Sequence, residues 1–121
     1  MTSLVLEQPN VSSFDELEPE LLRGFRDLVE ALQGGRPAIV VLREEDVASQ
    51  GEPAAAALAH ALLGLVRALA TEGARQGWII NAVSVDEEID SSPWLEFLGQ
   101  SHGLNGALVR LGSRHLGKVP A

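Results

Sequence analysis

From Pro53 to about Arg75 the chain holds a helix-forming stretch that is apolar nearly all round; between Ala54 and Ala70 only His60 and Arg67 interrupt it. A helix with one wet face can lie on a surface, but one without such a face needs burial on two sides. One side can rest on a sheet. The small alanine side chains of the other would let a second helix come close, so the stretch predicts a layered fold, and a paired one unless later parts of the same chain supply the cover.

Short strands flank it. Ala38 to Leu42 (AIVVL) is a continuous β-branched run, which is how a parallel strand buried on both faces reads. Trp78 to Val85 is the next strand, Ser3 to Leu6 a short edge strand, and Leu104 to Leu111 the last. Asn10 to Ser13 is turn-like, and Glu18-Pro19-Glu20 is a helix start with acids in its first turn. Leu21, Leu22, Phe25, Leu28, Val29 and Leu32 then recur at helical spacing until Gly34-Gly35 ends the helix as a left-handed cap would. Ser92 to Leu98 reads as a capped helical turn, with Trp94 and Phe97 read as cover for the sheet or as a hydrophobic lip, the core being their expected fate. The alternation predicts an α/β fold, two- or three-layered, with about four parallel strands joined by three right-handed crossovers. The two long helices then share one face. The other face and the edge of the first strand are left short of cover, which invites association.

Composition narrows the partners. The 121 residues are expected to form a single domain over 1–121, large enough to bury roughly two-thirds of its unfolded surface. A net charge of −8 without a basic cluster would repel a phosphate backbone, so nucleic acid is not an expected partner. Pro53, His60 or Arg67 breaks every apolar run approaching the ~18 residues of a membrane span, and MTSLVLEQPN lacks the basic start of a secretory signal. Together with the absence of cysteine, this predicts a cytoplasmic protein without membrane contact.

The stretch PAAAALAHALLGLVRALATEGARQGWIINAV, Pro53 to Val83, resembles the long helix and following strand of the short-chain dehydrogenase/reductase family. The match is closest over Gly64 to Glu72 and Asn81-Ala82-Val83. The resemblance implies a Rossmann-like fold, truncated to about the C-terminal half of such an enzyme. By the family's spacing the catalytic tyrosine falls on Ala55 and the lysine on Ala59, and the chain contains no tyrosine at all. The family's serine would fall near Leu42 to Glu44, where Leu, Arg and Glu stand. Ser84-Val85-Asp86 replaces the Pro-Gly that shapes the nicotinamide pocket, and no glycine-rich turn follows the first strand. The resemblance therefore implies a degenerate, pseudoenzyme-like chain without a cofactor and incapable of hydride transfer alone. It also implies a subunit contact through the long helix, at His60, Leu63 and Arg67, giving a homodimer or a heteromer with a full-length short-chain dehydrogenase/reductase.

A second reading places chemistry at the strand ends, where open α/β sheets bind ligands. Glu44-Glu45-Asp46 follows one strand and Asp86-Glu87-Glu88, with Asp90, the next; neighbouring strands would bring the runs within about 5–10 Å. Crowded carboxylates can serve as acid and base or hold Mg²⁺ or Ca²⁺. Glu44, Asp86 and Glu87 are the candidates for a small cofactor-free dehydratase, isomerase or cyclase; a solvated acidic rim is the simpler explanation. Trp94, Phe97 and Leu98 could line a small-ligand pocket. His60, His102 and His115 could be drawn into a triad with Ser84 or Ser101, but no Gly-x-Ser-x-Gly turn supports one, and Arg43, Arg110 and Arg114 are candidate anion contacts.

Overall fold

The computed structural model describes residues 2–100 and 103–112. Ser101, His102, Arg114 and His115 lie outside the described residues. Four strands form one parallel sheet in the order β1-β2-β3-β4: β1 is Leu4–Glu7, β2 Ala38–Arg43, β3 Ile80–Val85 and β4 Leu108–Leu111. Four helices connect them: α1 (Phe14–Gln33), the short α2 (Glu44–Val47), α3 (Pro53–Glu72) and α4 (Ser92–Gln100).

Strand alternation sorts the side chains into two cores. Leu4 and Leu6, then Ala38, Val40 and Leu42, then Ile80 and Ala82 face α1 and α3, where Leu28, Leu58, Leu62 and Val66 meet them. Ile39 and Val83 point the other way and meet Leu98 of α4, with Leu95, Val109 and Leu111 around them. Both long helices thus lie on one face, as expected, and α4 shields part of the other. The third connection departs from expectation. It steps across the sheet in the same direction as the first two but over the opposite face, so the three crossovers cannot share one hand. Single-hand crossovers are the strong rule; here Leu95 and Leu98 give α4 an apolar stripe that only the uncovered face can bury.

Three further differences have local causes. Helix α1 starts at Phe14, not near Glu18, because Glu16 closes its first turn: its Oε1 accepts from Ser12 Oγ at 2.7 Å, Ser13 Oγ at 3.2 Å and the Ser12 N–H at 3.3 Å. Pro19 therefore falls inside the helix, where it only leaves one first-turn carbonyl without its usual donor. The acids Glu44 to Asp46 form α2, not a solvated loop, and two of the three are buried. Trp94 and Phe97 stand exposed, on the flank and back of α4, because Leu95 and Leu98 take the inward positions. The left-handed stop of α1 is present as Gly35, φ +80°, with the Arg36 N–H bonded to Ala31 O.

Helix α3 explains its own composition. It is buried against the sheet and α1, and by length and mean hydropathy (1.6) it could also cross a membrane, although half of that apolar window is buried within the fold.

The Ser12 hydroxyl, the Ser12 backbone N–H and the Ser13 hydroxyl hold the Glu16 carboxyl below its ordinary value of 4.5. A carboxylate with a lowered folded pKa stabilises above its unfolded pKa, and that contribution fades as pH falls through the folded value. Amide exchange at residues 14–17 is therefore expected to accelerate below pH 4.5 relative to the middle of α1. Equal acceleration along the helix would contradict the capping role.

Candidate functional site

The carboxyl ends of β2 and β3 open into a cleft of about 380 Å³ lined by Arg43, Glu44, Glu45, Val85, Asp86, Glu87 and Glu88. The strands are neighbours in register, Arg43 beside Val85, so the two acidic runs do meet. What they can do depends on which carboxylates are committed elsewhere.

Glu44 is 3% exposed and heavily engaged. Its Oε1 accepts from Ser84 Oγ at 2.7 Å and from Arg110 Nε at 3.0 Å, while Arg110 Nη2 donates to Oε2. The sheet creates this arrangement. Ser84 and Arg110 are register partners on β3 and β4, and both face the side from which α2 leaves β2. Two parallel N–H donors from a guanidinium are the strong form of a charge-assisted pair. The bond to Glu44 holds the Arg110 guanidinium above its ordinary value. A carboxylate so held is a strut, not a base.

Asp46 is committed in the same way. Its Oδ2 accepts from Gln8 Nε2 and from Arg43 Nε, both at 2.9 Å. Gln8 also accepts from the Arg43 N–H at 2.9 Å and donates to Ala55 O at 3.3 Å. Arg43 Nη1 and Nη2 donate to the carbonyls of Gln8 and Pro9. This buried network ties the ends of β1 and β2 to the first turn of α3. Gln8, Arg43, Asp46, Ser84 and Arg110 were not picked out as a unit by the sequence. The available signal was Arg110 in LVRL, an ion at a strand position that alternation turns toward the long helices.

Glu45, Asp86, Glu87 and Glu88 also line the cleft and form its acidic rim. Among the described residues no group of three or more His, Asp or Glu side chains is arranged to hold a metal ion. The lining does not suit a dinucleotide either: a pyrophosphate wants N–H donors and cations, whereas carboxylates dominate here and Arg43 is spent on Asp46 and two carbonyls.

Ala55 and Ala59 lie on the inward side of α3, 7% and 0% exposed, in the main core. Leu63 packs into the same core. His60 and Arg67 are on the outer face, where His60 Nε2 lies 3.5 Å from Ser49 Oγ. Trp94 and Phe97 stand exposed, whereas Leu98 is turned inward to the core.

No family model matches the sequence, and no curated protein sequence matches it. Among solved structures, a short-chain dehydrogenase/reductase variant from Serratia marcescens is similar, with a TM-score of 0.59 at 15% identity over 92% of this chain. The chain spans 60% of the length of that structure. At such identity the likeness is one of fold: this is an α/β, Rossmann-like domain similar to the short-chain dehydrogenase/reductase fold.

Proposed function

We propose that this chain is a non-catalytic member of the short-chain dehydrogenase/reductase type that acts by association, dimerising or docking on a full-length enzyme through the outer faces of α1 and α3. The observation that carries the reading is the burial of Ala55 and Ala59, the positions matched to the family's tyrosine and lysine. A proton donor and its cationic neighbour need a cleft, and these positions have none. The engagement of Glu44 by Arg110 and Ser84 supports the same reading, because the most buried acid of the cleft is not at liberty.

The outer face has the character of a docking surface. Leu22 and Phe25 stand 45% and 39% exposed on α1, one turn apart, and α3 presents His60, Gly64 and Arg67 along its exposed side. A Cβ added at Gly64 would meet nothing within 4 Å, so a side chain there is accommodated in the single chain but obstructs a closely packed partner helix. Gly64→Leu is therefore expected to keep or slightly raise the melting temperature, since leucine is the better helix former by roughly 0.8 kcal/mol, while shifting sedimentation from dimer to monomer. A parent chain that sediments as a monomer at micromolar concentration, and captures no intact short-chain dehydrogenase, refutes the proposal.

A second reading, acid–base chemistry in the cleft, is favoured by one observation: both acidic runs line the same 380 Å³ space. Asp86 and Glu87 would carry it, with Glu44 as the strut beneath. Unchanged turnover of any substrate found for the chain after both are replaced by alanine would eliminate it.

A further inference from the structure

Asn105-Gly106 is the one Asn-Gly pair in the sequence. Such a pair can cyclise, because glycine puts no side chain in the way of its own backbone nitrogen. Here both reacting groups are held by one residue of the adjacent strand. Asn105 Oδ1 accepts from the Ile80 N–H at 2.9 Å, and the Gly106 N–H donates to Ile80 O at 2.8 Å. The next residue of β3 clamps the same loop from inside: Asn81 Nδ2 donates to Leu104 O and Asn81 Oδ1 accepts from the Ala107 N–H, each at 3.0 Å. Asn81 is buried, whereas Asn105 is exposed to water.

We infer that Asn105 is a deamidation site gated by release of the 103–107 loop from the start of β3. In the open loop the Gly106 nitrogen attacks Asn105 Cγ. The new N–Cγ bond forms as the Cγ–Nδ2 bond breaks, the Gly106 N–H proton leaves with the amide nitrogen as ammonia, and a succinimide remains. Water then adds to one of its two carbonyls and opens it to aspartate or isoaspartate, so the net change is amide plus water to acid plus ammonia, with no redox partner. In the closed loop the attacking nitrogen is pledged to Ile80 O and the amide is fixed by the Ile80 N–H, so reaction waits on local opening. The consequence reaches the cleft. Isoaspartate lengthens the backbone by one carbon immediately before the Gly106 and Ala107 bonds that seat β4, the strand that carries Arg110 to Glu44.

The test is to incubate the full chain at neutral pH, with and without denaturing urea, and to quantify isoaspartate and the amide-to-acid mass change in the peptide containing residue 105. The expected result is modification at Asn105, at least about tenfold slower in the folded chain than in urea, and absent in Asn105→Gln. Asn81→Ala, if folded by circular dichroism, should react faster than the parent; if unfolded, it should match the urea rate. Equal rates with and without urea, no reaction in urea, a mass change that persists in Asn105→Gln, or a folded Asn81→Ala no faster than the parent would each overturn the inference.

Discussion

Replacing Ala59 by lysine is expected to destabilise the chain by about 3–5 kcal/mol, enough to lower the melting temperature by roughly 12–20 °C. Ala59 is 0% exposed and sits among Leu58, Leu62 and the inward residues of β2 and β3. A lysine there adds volume the core cannot take and a charge that finds no designed partner. Ala59→Met separates the two costs, since it adds a similar length without the charge and should lose only about 1–3 kcal/mol by overpacking. The charge component also has a pH signature. Burial lowers the folded pKa of the new lysine below its unfolded value of about 10.4, so the unfolded chain binds the extra proton and the deficit shrinks as pH rises toward that value. Had this position kept the geometry of a catalytic lysine, the variant would fold well at pH 7 with its ammonium in a cleft. Thermal melts of the three proteins at pH 7 and pH 10 decide the matter, and a lysine variant as stable as the parent would remove the main support for a non-catalytic role.

How far the sequence was readable follows from which interactions are local. Parallel strands buried on both faces write themselves as runs such as AIVVL, and β2 and β3 were legible for that reason. An all-apolar helix announces its need for two-sided cover, and α3 has the sheet on one side and α1 against it. The start of α1 was legible in principle through Ser13 and Glu16, a serine followed three residues later by glutamate, but Pro19 is the louder signal and pointed too far along the chain. The fate of Trp94 and Phe97 depended on which residues of a nine-residue helix meet a sheet several strands away, and size alone favoured the wrong ones.

The site was less legible, for a physical reason. An EED run reads as a solvated rim because carboxylates are rarely buried without partners. Here Arg43 is the one local partner, and the others come from far along the chain: Gln8 for Asp46, and Ser84 and Arg110 for Glu44. No periodicity within the run can register donors on β3, on β4 and just past the end of β1. The meeting of the two acidic runs was readable from strand adjacency; their division into struts and rim was not.

That division makes Arg110→Ala the sharpest test of the cleft. Breaking a buried pair from one side leaves an uncompensated charge at a cost of about 3–5 kcal/mol. Arg110 keeps about a third of its side chain in water, which screens the pair, so a loss of roughly 2–4 kcal/mol is expected. The loss should come from the stranded Glu44 carboxylate, not from the missing guanidinium. Adding Glu44→Gln to Arg110→Ala should therefore recover part of it, because glutamine is neutral and still offers an oxygen to the Ser84 hydroxyl. Without its cation the buried Glu44 carboxyl should titrate above its unfolded value. The folded chain then binds the extra proton, and the deficit of Arg110→Ala narrows as pH falls. Urea melts of the single and double variants at pH 7 and pH 5 measure both effects. A loss below about 1 kcal/mol, the range of exposed ion pairs, would mean that Glu44 is hydrated in solution. The cleft would then have a carboxylate to spend on chemistry, and the acid–base reading would displace the docking one.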